Sequence, residues 1–503
     1  MNLAGAFAES VQKQSQKIAL FWGETEYSYA ELWRQSLLVS HHLQQHFAIK
    51  PGDRVGLWLK NCPEFIPSLF GILHAGAVVV PINNFFKPDE VNYILGDAGI
   101  EVVITDAELG AHHRALEVAH PHLNLFRIEQ LEKLKTTTGS TASEVNRTPL
   151  PERAESDLAV IIYTSGTTGL PKGAMLSHGN LLHNVESCRI VLQTVTADRF
   201  AVLLPLFHSY MLTVGLLLPL LVGGSVVLVK SLHPVRNALQ EIFQRQATVL
   251  PAIPQFYRSM VNAPIPVPLP LRICISGAAP LPAQVLMEFE AKFHIPLIEG
   301  YGLSETSPVV TKNPLDGSRK AGSIGLPIPR VEVSIQDNLG KLLDVGETGE
   351  VCVRGGNVML GYWKQPAETA KIMRDGWLLT GDIGYRDQEG YYYITDRKKD
   401  MILVNGINVY PREIEEILYQ FPGVKEVAVI GKPDARKGEQ PVAFVSANEG
   451  AVLDERAMQN FVRRKLANYK VPRKVVLLAA LPRNATGKIL KTALRDMPIS
   501  GQS

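Results

Sequence analysis

The sequence predicts an α/β protein of two parts, a large N-terminal unit built on largely parallel sheets and a small, mobile α+β unit at the C-terminus. Two observations predict it. Apolar strand-like runs alternate with helix-like runs early in the chain, the pattern of parallel sheets covered by helices. Near Asp396-Arg397-Lys398-Lys399-Asp400 a charge run precedes a stretch with strand and helix signals of its own. Length alone, 503 residues, exceeds one hydrophobic core and suggests about three core-sized units. The charged run reads as a hinge, dividing the chain into residues 1–398 and 399–503.

The elements follow in order. Arg54-Val55-Gly56-Leu57-Trp58-Leu59 reads as a buried strand, Pro63 to His74 as a helix and Ala77-Val78-Val79-Val80-Pro81 as the next strand. Lys135 to Asp157 is polar and rich in Ser, Thr and Pro, the composition of a surface connection. Leu158 to Ile162 is a further apolar strand. Met211 to Val229 carries no charge and approaches the length of a membrane span. Gly223-Gly224 and the β-branched run Val226-Val227-Leu228-Val229 make it instead a buried helix, a glycine turn and a buried strand. In the C-terminal unit, Glu426 to Ile430 reads as a strand and Glu455 to Leu466 as a helix.

Composition narrows the class. The chain is 46% hydrophobic and 20% charged, with a net charge of +2, so nothing electrostatic selects nucleic acid or an anionic membrane as its main partner. The four cysteines, Cys62, Cys188, Cys274 and Cys352, have no metal-ligand spacing, which points to reduced thiols in a cytoplasmic protein. Met1 to Gly5 lacks a secretory start. Ala321-Gly322-Ser323-Ile324-Gly325 misses the first glycine of a hydrolase nucleophile elbow. His112, His113, His120 and His122 cluster without acidic or cysteine partners at metal spacing, and read as a polar helix face and loop.

The chemistry concentrates in Tyr163-Thr164-Ser165-Gly166-Thr167-Thr168-Gly169-Leu170-Pro171-Lys172-Gly173, directly after the strand from Leu158. Glycines let the backbone turn and present N–H groups; hydroxyls and a lysine add donors for phosphate oxygens. It is not a Walker loop, because Pro171 precedes Lys172 and Gly173 follows it.

This loop resembles the signature of the acyl-adenylate-forming superfamily (acyl-CoA synthetases, peptide-synthetase adenylation domains, beetle luciferases). Further matches in the same order extend the resemblance over nearly the whole chain, with long-chain fatty-acid–CoA ligases as its best fit. They are Leu204-Pro205-Leu206-Phe207-His208-Ser209-Tyr210, Ser276-Gly277-Ala278-Ala279-Pro280-Leu281, Glu299-Gly300-Tyr301-Gly302-Leu303-Ser304-Glu305-Thr306, Thr380-Gly381-Asp382, Asp396-Arg397-Lys398-Lys399, Val404-Asn405-Gly406-Ile407-Asn408-Val409-Tyr410-Pro411-Arg412-Glu413-Ile414-Glu415, and Pro482 to Ile489 with Lys488.

The resemblance implies a small β-barrel-like subdomain in the large unit, ATP, Mg²⁺ and coenzyme A as cofactors and cosubstrates, and a role for each matched residue. Nucleotide contacts fall on Thr164, Ser165, Gly166, Thr167, Thr168, Gly169, Lys172, Gly277, Ala278, Ala279, Glu299, Gly300, Tyr301, Gly302, Ser304, Asp382 and Arg397. Tyr301 offers a stacking face to adenine, and Asp382 can accept from both ribose hydroxyls. Glu305 and Thr164 are the implied Mg²⁺ ligands. His208, Tyr210, Met211, Gly277 and Gly302 bound the acyl site, where Met211 replaces a glycine common in relatives. Gly406 and Asn408 line the thiol channel. Lys488 serves adenylation, His208 lies beside the substrate carboxylate, and Lys399 is the pivot.

The implied activity is ATP-dependent acid–CoA ligation through an acyl-AMP. No Asp or Glu lies between Asp198 and Glu241, so the pocket offers no partner to a substrate ammonium, and an uncharged tail is expected. A medium- or long-chain fatty acid is the first choice. An aryl or hydroxycinnamic acid, transfer to a carrier-protein phosphopantetheine, and a nucleotide-binding module without turnover are the alternatives. Partners are the acid, ATP and CoA, with no nucleic acid; monomer or homodimer, and peripheral membrane contact, stay open.

Overall fold

The computed structural model describes residues 1–131, 152–164, 170–232, 235–265, 267–405, 407–434, 438–483 and 488–498. Two large sheets form the N-terminal part. One has nine strands, and its six-strand interior is parallel: Leu297–Gly302, Ile273–Ser276, Val249–Ala252, Arg199–Val202, Ser225–Leu228 and Ile18–Trp22. Antiparallel strands close its edges, Val309–Lys312 and Leu326–Pro327 on one side and Thr25–Ser28 on the other. The other has seven strands, with Leu158–Thr164, Val78–Pro81, Arg54–Leu57, Val102–Thr105 and Asn124–Arg127 parallel.

The expected strand, helix and strand near the N-terminus are present as Arg54–Leu57, Phe65–His74 and Val78–Pro81, with Val55 opposite Val79. A parallel pair needs such a crossover, and its strands are apolar on both faces because helices cover both. The uncharged stretch from Met211 resolves as expected. A π-helical turn, Met211–Leu217, runs into the helix Leu218–Val222, Gly223 stops it in the left-handed region (φ 86°), and Ser225–Leu228 is the buried strand. No described helix is long and apolar enough to cross a membrane. Most of the polar connection from Lys135 lies outside the described residues.

The remaining sheets are largely antiparallel. Val331–Gln336, Gly349–Gly355, Trp377–Arg386, Met373–Arg374 and Tyr392–Arg397 form a five-stranded sheet beside the large pair, the place of the expected barrel-like subdomain. Beyond it, Ile402–Val404, Ile407–Val409, Val424–Asp434, Gly438–Ala447 and Lys474–Leu477 form the last sheet. The helices Pro411–Tyr419 and Glu455–Arg463 pack on it around Ile414, Leu418, Val427, Val429, Val445, Met458 and Val462. This core draws only on residues after the charged hinge.

Candidate functional site

Ligands of open α/β sheets bind beyond the carboxyl ends of the parallel strands, and the expected motifs converge there. Ile273–Ser276 delivers Gly277, Ala278 and Ala279; Leu297–Gly302 delivers Ser304 and Glu305; Arg199–Val202 leads to His208; Leu158–Thr164 ends on Thr164. These residues line one cleft of about 1150 Å³, closed from the other side by Arg397, Lys399, Arg412 and Lys488.

Asp382 and Arg397 face each other across adjacent strands, and Arg397 Nε lies 2.9 Å from Asp382 Oδ1. The Tyr301 hydroxyl donates to the other carboxylate oxygen at 2.6 Å. Asp382 is only 3% exposed. Its charge raises the Arg397 guanidinium further, and burial followed by that charge pushes the Tyr301 phenol far up. Behind it, Thr380 Oγ1 accepts from the Asp382 backbone at 3.1 Å and Glu350 takes Lys398 at 3.1 Å, so the turn is held from two sides.

Lys488 enters this cluster from the C-terminal part. Burial first, then the neighbouring Arg397, lowers its ammonium to about 8, while Asp382 and Asp400 act in the opposite sense. His208 is lowered to about 4 by burial and by the charge of Lys488. The imidazole is therefore neutral at pH 7. Its Nδ1 accepts the Tyr210 backbone N–H at 3.3 Å, which places the ring proton on Nε2. One cation thus faces both a neutral histidine and the Asp382–Arg397 couple.

At the phosphate end, Thr164 and Lys172 line the cleft with Glu305. Tyr362 donates to Glu305 Oε1 at 2.8 Å, and the Lys172 ammonium lies 5.3 Å from the Tyr362 ring centre while paired with Glu368. Ser165, Gly166, Thr167, Thr168 and Gly169 lie outside the described residues, as does Gly406. Ser304 Oγ and Ser209 Oγ are 3.0 Å apart, which brings the histidine segment against the glutamate segment. One carboxylate and one hydroxyl suit Mg²⁺, which keeps waters and takes substrate phosphate oxygens rather than a protein cage.

Two glycines are dictated by space. A Cβ on Gly302 would stand 1.9 Å from the Pro308 carbonyl oxygen, and one on Gly277 would stand 3.0 Å from the Tyr210 ring. We expect Gly302→Ala to cost at least about 1–3 kcal/mol of stability through overpacking and to weaken nucleotide binding; thermal unfolding with and without ATP checks both. Tyr210 is held flat by its hydroxyl, which donates to the Ile275 carbonyl at 2.9 Å.

Met211 departs from expectation. It is fully buried outside the cleft, with its sulfur turned onto Gly215, because the wide π-helical turn carries it into the core rather than toward the acyl site. Glu299 sits deep in the cleft at 5% exposure rather than on an open nucleotide surface; burial raises its carboxyl to about 7, against the pull of Arg412 at 4.0 Å. Asn408 is exposed on its strand, away from the cleft. Lys399 is exposed at the rim.

Two cleft residues went unread in the sequence, Tyr362 and Lys312, as did Glu368, which pairs with Lys172; Arg412 stood in the channel segment with no role of its own. Lys312 ends the otherwise uncharged strand Val309–Lys312, yet it is 6% exposed and lines the cleft. Its one visible signal was a charge at the end of an apolar run.

Comparison with known proteins agrees with this geometry. The AMP-binding enzyme family matches residues 7–363, and the AMP-binding enzyme C-terminal domain matches residues 413–488. A long-chain-fatty-acid–CoA ligase of Bacillus subtilis (strain 168) is 35% identical, over 98% of this chain and 94% of its own. A feruloyl-CoA synthase of an Amycolatopsis species is also 35% identical, over 94% of each chain. The crystal structure of ATP-bound MatB from Rhodopseudomonas palustris superposes with a TM-score of 0.90 at 33% identity, covering 99% of both chains. With its fold, its motifs in order and its cleft all accounted for, the chain belongs to the AMP-binding enzyme family, the adenylate-forming ligases.

Proposed function

We propose that this chain is an AMP-forming acid–CoA ligase, using ATP, Mg²⁺ and CoA, for an acid with an aliphatic body of medium to long chain. The observation that carries the reading is the position of Lys488, whose charge reaches His208 on one side and Asp382 and Arg397 on the other. A substrate carboxylate next to a polyphosphate is a repulsive encounter. Two unit charges about 4 Å apart interact by about 4 kcal/mol at an effective dielectric near 20, so a cation at that point matters.

In the first half-reaction a carboxylate oxygen attacks the α-phosphorus of ATP and pyrophosphate leaves, giving the acyl-AMP. His208, neutral, donates from Nε2 and orients the carboxylate without competing for its charge. Lys488 stabilises charge gathering on the α-phosphate. Asp382 and Arg397 hold the ribose, Tyr301 the adenine, and Gly277 to Ala279 with Gly300 and Gly302 allow their close approach. Glu305 and Thr164 would hold Mg²⁺, which when bound neutralises polyphosphate charge. Lys172 joins them by exchanging Glu368 for phosphate.

In the second half-reaction the CoA sulfur, as thiolate, attacks the acyl carbon and AMP leaves. Asn408 and Gly406 serve this step from the C-terminal unit, residues 399–503, which turns about Lys399 and withdraws Lys488. Lys399→Pro should therefore spare pyrophosphate release and suppress thioester formation by about 10-fold or more; equal loss of both in parallel assays contradicts the pivot. The aliphatic preference is supported by the Bacillus subtilis relative and by the cleft walls Val214, Ile275, Pro308 and Val309. The feruloyl-CoA synthase relative favours an aryl acid instead. A panel of aliphatic and aryl acids with ATP and CoA, read as AMP and thioester, decides between them.

A further inference from the structure

Lys312 is a cationic cleft residue for which the proposed chemistry has no use. It ends the strand Val309–Lys312 in register with Gly300, and a Cβ on Gly300 would meet the Lys312 Cγ in ordinary contact at 3.9 Å, so the lysine stem runs beside Gly300 on the cleft wall. Cys188, Leu192, Tyr210 and Ile275 line the cleft with it. Lys312 is 6% exposed, and no described residue forms a hydrogen bond or ion pair with its ammonium. The charged or titratable groups that face it are the buried Cys188 thiol and the Arg272 guanidinium. Arg272 brings no relief. It is itself cationic, and its own carboxylate partner, Asp198, is engaged by it at 2.6 and 2.7 Å.

A buried ammonium without a counter-charge is costly. A hydrocarbon tail end offers it nothing. We propose that Lys312 receives a second anionic group at the far end of the acyl substrate, so that the acid activated here is a dicarboxylate with an apolar middle. The inference rests on the acid–CoA ligase reading and names its substrate class. It departs from the expectation of an uncharged tail, which came from the absence of acids between Asp198 and Glu241. That absence is silent on an anionic tail.

The site carries its own signature. Burial lowers the Lys312 ammonium to about 7, so near neutrality half of the molecules lack the proton. An anion bound there raises that value again, and binding at pH 7 to 8 then takes up a proton; a tail without charge takes up none.

The test uses the full chain, ATP, CoA and two matched series of unbranched acids of about six to sixteen carbons, monocarboxylic and α,ω-dicarboxylic. The expected result is a kcat/KM for the best diacid at least about 100-fold above that of the monoacid of equal length. Lys312→Met should invert this preference, with Lys312→Gln as the variant that keeps a polar end. Calorimetry of acid binding in two buffers of different ionisation enthalpy should show proton uptake for the diacid with the unaltered chain and none with either variant. Preference for monoacids in the unaltered chain, or equal loss of both series in the variants, overturns the inference while leaving the ligase reading intact. Failure of every acid to yield AMP strikes the ligase reading itself.

Discussion

Lys488→Ala loses acyl-AMP formation by about 10²–10³-fold, the scale of removing one preorganised charge from a transition state, and retains thioester formation from preformed acyl-AMP and CoA. The asymmetry follows from geometry. In the proposed reaction Lys488 acts where charge gathers during attack on phosphorus, and it lines the same cleft as His208, whose imidazole its charge lowers. Pyrophosphate release and thioester formation, assayed separately, read the two halves. A pH profile adds a check. Lys488 is cationic below about 8, so kcat/KM for ATP in the first half-reaction declines as pH rises through that value. Bound polyphosphate favours the charged lysine, so the same limb in kcat moves to higher pH. Lys488→Arg, which stays charged, loses the limb whatever its absolute rate.

Asp382→Ala is the second large effect. The carboxylate is buried between Arg397 Nε and the Tyr301 hydroxyl. Hydrogen bonds to a charged group contribute about 1.5–3 kcal/mol each, so losing two ribose contacts predicts an ATP affinity lowered by about 10²-fold or more. Stability also falls, because Arg397 and Tyr301 lose their partner. A comparison with 2′-deoxy-ATP separates recognition from folding. The unaltered chain discriminates against it, and Asp382→Ala does not. Asp382→Asn keeps the shape and two polar atoms, so it should restore stability more fully than affinity.

Much of the fold was legible because parallel strands buried on both faces are continuous apolar runs. Arg54–Leu57, Val78–Pro81 and Leu158–Thr164 all announced themselves, and the last pointed straight at the phosphate loop. The antiparallel sheet was harder. Val331, Val333 and Ile335 alternate with Glu332 and Ser334, a period-two signal that pairs with the next strand, Gly349–Gly355, but only the family resemblance placed the sheet.

The site divides the same way. Motif residues whose backbone sets their position, such as Gly277, Gly302, Asp382 and Arg397, converge as the sequence implied. Side chains whose direction depends on tertiary detail did not read through. A single wide helical turn sends Met211 into the core, and Lys172 meets Glu368 across 196 residues. Lys312 shows the limit most clearly, since a charged strand terminus looks solvent-facing until the strands and helix around it close.

The central claim is that one cation at the cleft wall, Lys488, lets a carboxylate displace pyrophosphate in the cleft where sulfur later displaces AMP. Rapid-quench turnover of isotopically labelled ATP with a panel of monoacids, diacids and aryl acids tests it most directly. The account predicts that acyl-AMP and pyrophosphate appear together before CoA is added, that AMP and thioester then form in equal amounts, and that Lys488→Ala removes only the first event. Release of ADP and phosphate, or thioester without a prior acyl-AMP, would contradict it.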